Sequence, residues 1–498
     1  MMEDLRLVKP DTLLLLTRVS HFLTEQGIQP YLIGGFVRDL LLGRDTSDID
    51  IAVAADALEV APKVAKALGG KYVLLDEVNR VGRVVLVDRK GKRELDFSTF
   101  KGSIEQDLAR RDFTIDAMAI ELEKAIHQPQ SSMLIDPFKG WDDLHQGVIR
   151  AVTEAAFPSD PARLLRAVRL AAELGFSIDT GTETLIRRYG HLIASVAGER
   201  LREELLQLLA MPRAGQLLAY LDELGLLTAM IPELAQAKGV EQPKVHFWDV
   251  FDHSIKTVVA VDFLLRHEAW EYIGEELLRA VPWSKALSQH FDQEVSSGST
   301  RKLLLKLAAL FHDIGKPQTK ATDDRGRIRF LGHAKEGAAL TVDALERLRF
   351  STKEVKLVEV MVRHHLRPMQ MSHHGLPSRR AIYRYFRDTG EAGIDILFLS
   401  LADYLATKGQ HLNLAEWQEQ AQMVEYVLAR HFEEESLIVP PKLIDGHDLI
   451  NIFGLSPGPK IGKILEAVRE AQAAGEVVSR KEALAYAEHL LASPRSKR

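Results

Sequence analysis

The chain has 498 residues, more than one hydrophobic core accommodates, so three or four domains are expected. Its 46% apolar and 27% charged residues are those of an ordinary soluble protein, and no run approaches the roughly 18 apolar residues of a membrane span. Cysteine is absent, which excludes disulfides and thiolate zinc sites, and a net charge of −6 leaves nucleic-acid binding to local patches. Residues 1–150 read as mixed α/β, with strands at 30–34, 48–54, 71–75, 82–88 and 93–99 and helices near 11–26, 36–42, 55–68 and 104–122. The acidic Glu3 and Asp4 and the short apolar run Leu13–Leu16 do not make a secretory signal, so a cytoplasmic location is expected.

Tyr31-Leu32-Ile33 reads as a strand that breaks at Gly34-Gly35, followed by a helix from Phe36 to Leu42 that Gly43 stops. Such a turn offers backbone N–H groups at a helix start, a cradle for phosphates. The next strand carries Asp48 and Asp50. Residues two apart on a strand share a face, so both carboxylates project together while Ile49 and Ile51 enter the core. Paired carboxylates repel unless a cation lies between them, and hard oxygen ligands suit Mg²⁺ bound with a phosphate. Asp96, in the alternating run Glu94-Leu95-Asp96-Phe97, is a candidate third catalytic carboxylate.

From about 151 the pattern turns helical, with apolar residues at three- and four-residue spacing in 162–174, 200–210 and 214–226. Residues 151–213 hold eight arginines, eight acids and no lysine, which is not a basic patch by count. A polar stretch at 238–243 marks a boundary, and 246–374 holds ten of the 18 histidines, enough to suggest a site. The apolar helical run Leu303–Phe311 ends in His312-Asp313-Ile314-Gly315-Lys316-Pro317. Residues 284–301 read as a solvent-exposed loop, His373-His374 as inert, and Pro440-Pro441 as a junction to a short helical tail. The glycine-rich Phe453–Gly462 turn in that tail is a plain helix connection or a contact for an RNA phosphate.

The motifs Tyr31–Ala54, Arg110-Arg111-Asp112-Phe113-Thr114-Ile115-Asp116-Ala117-Met118-Ala119, Asp136–Gly140 with Asp142–Leu144, Ser159–Arg169 and Glu199–Leu205 occur in order. Together they resemble the class II tRNA nucleotidyltransferases and bacterial poly(A) polymerases of the nucleotidyltransferase superfamily. The resemblance implies an α+β multidomain chain: a polymerase beta-like nucleotidyltransferase head at 1–150, an all-α neck at 151–238, an all-α domain at 239–438 and a helical tail at 439–498. It implies two Mg²⁺ ions at Asp48 and Asp50, and a triphosphate held by Gly34, Gly35, Arg38 and Asp39. It places Arg111 and Asp112 near the nucleotide sugar and Arg166 in the nucleotide site. Asp160 and Arg163 are implied as protein side chains that template the base, and three-residue spacing would put them on one helix face. Where the family has Asn in its second motif this chain has Asp116, and Ser159 replaces a Glu and suits a helix cap.

His253, His312-Asp313, His333, His364-His365 and Asp403 resemble the metal-binding pattern of the HD phosphohydrolase superfamily. Imidazole with carboxylate suits a transition ion such as Mn²⁺, Ni²⁺ or Zn²⁺ better than Mg²⁺. The expected activity is transfer of nucleotides from CTP and ATP to the tRNA 3′ end, as all or part of a CCA sequence, with an accessory hydrolase. No membrane or obligate protein partner is expected. The rivals are a poly(A) polymerase, and an HD phosphatase or phosphodiesterase whose N-terminal half only binds RNA. Residues 74–96, where the resemblance places a flexible element tied to full CCA addition, are compact.

Overall fold

The computed structural model describes all residues except 1–8, 47, 89–90, 128–133, 244–246, 267–275, 372–374, 434–441 and 493–498, and only the backbone at 88 and 127. His373-His374 and Pro440-Pro441 therefore lie outside the described residues. The chain divides into two compact units, Met1–Val196 with Leu221–Met230, and Ala197–Tyr220 with Ile231–Arg498.

The first unit is built on a seven-stranded sheet of β1 (Pro30–Ile33), β2 (Asp48–Val53), β3 (Lys71–Asp76), β4 (Val81–Asp88), β5 (Gly91–Thr99), β6 (Ala119–Glu121) and β7 (Leu134–Ile135). Its spatial order is β3-β4-β5-β2-β1-β6-β7. Only β2 and β5 run parallel, pairing Asp48 with Glu94, Ile49 with Leu95 and Asp50 with Asp96. Ile49, Ile51, Leu95 and Phe97 are buried to within 1%. Alternation thus sends their acidic neighbours to the opposite face. Helix Ala57–Leu68 follows β2, capped by the Asp56 carboxylate and closed by Gly69 in the left-handed region.

The expected helix at 104–122 is a helix only over Ile104–Leu108, then a 3₁₀ turn at Thr114–Asp116 and strand β6. Tertiary pairing overrides local propensity here. Ala119 pairs with Ile33 of β1, Phe113 bridges to Ala151, and Phe113, Ile115 and Met118 are fully buried.

The second unit is mainly helical. Helices Val250–Leu264, Arg301–Phe311, His333–Arg347, Thr352–His364 and Gly393–Lys408 pack together in it. Residues 284–301 are not a solvent-exposed loop: they form helix Lys285–Asp292 and a hairpin of Glu294–Ser296 with Ser299–Thr300. That hairpin leads into Arg301, whose buried guanidinium bonds Asp395 at 2.6 Å. The tail helices Gly446–Phe453, Pro459–Ala473 and Arg480–Ala492 share their own apolar cluster around Leu449, Val468 and Ala483. No helix among the described residues is long and apolar enough to cross a membrane.

Candidate active site and metal centre

The acidic row of the first unit sits where the sheet register puts it. Asp48 is exposed and Asp50 half-buried, side by side with Glu94 and Asp96 on the parallel partner strand. Asp96 is not open to solvent ligands on both oxygens. Arg83, opposite it on β4, donates from Nε to Oδ1 at 2.7 Å and from Nη2 to Oδ2 at 2.8 Å, and from Nη1 to Glu94 at 2.5 Å. Asp48 and Asp50 have no ion pair within 4.0 Å among the described residues. Burial pushes the Asp50 carboxyl up to about 6, with Arg111 opposing and Asp96 reinforcing the rise. Asp48 is raised too, by burial and then by Glu94. Paired carboxylates without a direct ion-pair partner are a donor set suited to a divalent cation.

Gly34 shapes the other wall. Its φ is +66°, and a Cβ there would lie 2.6 Å from Arg111 Nη1 and 3.3 Å from Asp50 Oδ2. Only glycine admits both the left-handed turn and that approach. The helix begins at Gly34 itself, two residues earlier than the sequence pattern gives, and has no side-chain cap. Its first N–H is already spent on the Met118 carbonyl at 3.3 Å.

Arg38 is buried and holds Asp39 at 3.0 Å and Asp116 at 2.7 Å. Asp116 also faces Arg166 at 3.5 Å, and Arg166 reaches Asp112 at 2.8 Å. The carboxylate at 116 therefore joins two arginines, a job an amide does weakly. Burial raises the Asp116 carboxyl although Arg38 opposes it; for Asp112 burial is outweighed by Arg166 and Arg163, and the carboxyl falls.

The Asp160–Arg163 pair does not share a helix face. Asp160 is extended, with φ −150° and ψ 94°, and helix Arg163–Leu174 starts only after it. Pro161 imposes this, because the residue before a proline is driven out of the helical region. The two side chains still meet loosely, Nε to Oδ2 at 3.8 Å, while the guanidinium also donates to the carbonyls of Ala156 at 3.3 Å and Arg110 at 3.1 Å. Ser159 does not cap that helix. It ends helix Ala156–Ser159 and its hydroxyl donates to the Ala156 carbonyl at 3.0 Å. Asp160 instead accepts from the Ala162 N–H at 3.3 Å.

Two triads, His253/His312/Asp403 and Asp313/His333/His365, each bring ligand atoms within 4.8 Å of one another. Asp313 joins them: Oδ2 lies 3.2 Å from His312 and 3.5 Å from His253, and Oδ1 lies 3.4 Å from His333 and 3.9 Å from His365. His312, His333 and His365 spend Nδ1 on the carbonyls of Ala309, Phe330 and Val362 at 2.7–2.8 Å, which turns each Nε2 inward. Gly315 permits this convergence, since a Cβ there would lie 2.4 Å from Gly337 N and His333 O. Burial pushes His365 down to about 3 and lowers His253. Burial alone would depress His312, but Asp313 and Asp403 reverse it. Asp313 is held well below the usual carboxylate range, against burial, by His312 and Lys316. The lowered His253 and His365 favour the neutral imidazole, and the lowered Asp313 the anionic carboxylate, that a metal requires.

His364 does not join the cluster. Adjacent helical residues point about 100° apart, so only one of His364 and His365 can face the centre. Arg83 and Glu94 were missed from the sequence. The spacing Glu94-Leu95-Asp96 repeats the Asp48-Ile49-Asp50 pattern and was the available signal for Glu94; Arg83 carried none without the strand register.

The raised Asp50 carboxyl makes a stability prediction. A group whose folded pKa is raised contributes stability that is full below its unfolded value near 4 and is lost as pH rises through about 6. In chelator, Asp50→Asn should therefore melt higher than wild type at pH 8 and equally at pH 4. A thermal unfolding series over that range checks it; equal melting at pH 8 would mean Asp50 is not strained.

Residues 30–150 match the Poly A polymerase head domain, 175–238 the probable RNA and SrmB-binding site of polymerase A, and 263–408 the HD domain. The chain is 34% identical over 462 residues to the CC-adding tRNA nucleotidyltransferase of Thermus thermophilus, covering 91% of this chain and 92% of the relative. It is 34% identical over 463 residues to the A-adding tRNA nucleotidyltransferase of Deinococcus radiodurans, with 91% and 94% covered. Among solved structures, an apo CCA-adding enzyme superposes with TM-score 0.63 at 23% identity, over 98% of this chain and 96% of that one. The Thermotoga maritima CCA-adding enzyme complexed with tRNA gives 0.58 at 24% identity, over 99% and 100%.

Proposed function

The chain belongs to the class II CCA-adding tRNA nucleotidyltransferase family with an HD domain, and from that premise we propose how its own residues divide the work. The enzyme transfers nucleotides from CTP and ATP to the 3′ end of tRNA. The RNA 3′-hydroxyl attacks the α-phosphorus of the triphosphate and pyrophosphate leaves. The observation that carries this reading is the unpaired Asp48–Asp50 couple beside the Gly34 turn.

The family uses a divalent metal; we assign Mg²⁺ to Asp48 and Asp50. Bound there, it would lower the pKa of the attacking hydroxyl and neutralise triphosphate charge. Gly35 leaves room for the phosphates at the uncapped helix start, where Arg38, steadied by Asp39 and Asp116, supplies positive charge. Arg111, beside Gly34, and Asp112, paired with Arg166, border the nucleotide sugar. The 1–150 head carries the chemistry, the 151–238 neck reads the base, and the 439–498 tail contacts RNA. The cluster at 239–438 would hold a transition ion such as Mn²⁺, Ni²⁺ or Zn²⁺ and activate water against phosphate esters.

The test is incubation with tRNA lacking its 3′ end and each labelled triphosphate, read on a gel. CTP and ATP should be incorporated and UTP and GTP not. A long adenylate ladder would mean a poly(A) polymerase, and no incorporation would leave the HD half as the active part. A narrower reading, addition of only CC or only A, is favoured by one observation. β3 and β4 are joined by a turn of only Glu77–Arg80, in the stretch where the resemblance places a flexible element tied to full CCA addition. Products stopping two nucleotides on, or a single adenylate added only to tRNA already ending in CC, would support it.

Asp160 and Arg163 are proposed to read the base edge. Replacing either by alanine should cost about 1–3 kcal/mol of discrimination, or roughly ten- to a hundredfold against UTP and GTP. Triphosphate affinity should change less. Unchanged selectivity in competition assays would put the pair in a structural role.

A further inference from the structure

Four carboxylates stand two by two on the face of β2 and β5, with Asp48 beside Glu94 and Asp50 beside Asp96. The strands are about 4.8 Å apart, so charges in one column feel those in the other. Arg83 divides this set unevenly. Its guanidinium bonds both oxygens of Asp96, at 2.7 and 2.8 Å, and one of Glu94, at 2.5 Å. These are three charge-assisted bonds in the planar fork geometry that arginine alone offers. They raise the Arg83 guanidinium further above its usual range, chiefly through the bond to Asp96. The β5 column is therefore compensated, Asp96 by Arg83 and Glu94 by Lys92 together with Arg83, whereas no ion pair among the described residues reaches the β2 column.

We propose that Arg83 is a positioning residue for nucleotide addition: it fixes Asp96 beside Asp50, offsets the charge of Asp96 and, with Lys92, of Glu94, and so reserves the Asp48–Asp50 column for divalent metal and sets how tightly that metal is held. Charge and geometry act in opposite directions here. A cation next to the column weakens its attraction for Mg²⁺, and the same cation holds the neighbouring carboxylate still. Removing it should tighten the metal and slow the reaction. Loss of an ordinary structural arginine would loosen both.

The inference rests on Asp48 and Asp50 as the metal ligands, and its test separates the two. Mg²⁺ is titrated calorimetrically into full-length, metal-free protein carrying His312→Ala and Asp313→Ala, so that only the first unit's site is counted. Steady-state nucleotide addition is measured alongside. Arg83→Met should bind Mg²⁺ about tenfold more tightly while kcat falls by at least as much. Arg83→Lys keeps the charge but not the fork, so Mg²⁺ affinity should stay near the parent's while kcat still drops. Glu94→Gln removes a negative charge and should weaken Mg²⁺, opposite in sign to Arg83→Met, which keeps the proposal testable if Arg83→Met does not fold. Unchanged or weaker Mg²⁺ binding in Arg83→Met, or unchanged binding in Glu94→Gln, overturns it. Absence of any Mg²⁺ binding in the parent that Asp48→Ala abolishes would instead overturn the ligand assignment.

Discussion

Asp48→Ala and Asp50→Ala should each reduce nucleotide addition on the order of a thousandfold or more, with little loss of folding. Each removes one of two carboxylates that no ion pair within 4.0 Å holds among the described residues, from a site whose chemistry depends on a cation between them. The fold should survive because the core under these residues is Ile49, Ile51, Leu95 and Phe97, on the opposite face of the sheet. Removing Asp50 even relieves a group that burial disfavours in its charged form. Single-turnover rates at saturating Mg²⁺ and CTP, with circular dichroism for folding, make the measurement. Substantial activity in either variant would move the metal site elsewhere.

The second large effect belongs to the histidine centre. Purified wild type should carry a transition ion, and His312→Ala with Asp313→Ala should lack it, together with any Mn²⁺-, Ni²⁺- or Co²⁺-stimulated hydrolysis of phosphomonoesters or 2′,3′-cyclic phosphates. Asp313 spans both triads, so its loss should empty both rather than one. Nucleotide addition should stay nearly intact, because its carboxylates lie in the other unit. Asp313 also pairs with buried Lys316 at 2.5 Å, and deleting one member of a buried pair strands the other charge. Asp313→Asn is therefore the companion variant, since the Gln242 contact to Lys316 at 2.6 Å remains. Wild type that holds no such ion and hydrolyses nothing would make the domain a scaffold. A folded double variant unable to add nucleotides would mean the two halves are coupled.

Much of this was legible because it is local. Alternation along 48–53 placed two aspartates on one face, and the strand is where the pattern put it. The five strands first read from the sequence occur within two residues of their expected bounds. The metal-type residues His253, His312, Asp313, His333, His365 and Asp403 were visible as residue types and do converge. The second motif falls within the helix expected at 104–122, yet pairing with β1 and burial of Phe113 and Ile115 make it a turn and a strand.

What the sequence determined by itself was which side chains carry chemistry, and which share a face along one strand. Both follow from covalent order and a two-residue period. Register and phase needed the assembled structure. Arg83 meets Asp96, and Asp96 meets Asp50, only because β4, β5 and β2 align in one register, and a one-residue slip would turn each row to the other face. His365 rather than His364 faces the centre because packing sets the rotation of helix Thr352–His364, which no local signal encodes. Such choices are made by contacts distant in sequence, whose energies exist only once the core has closed.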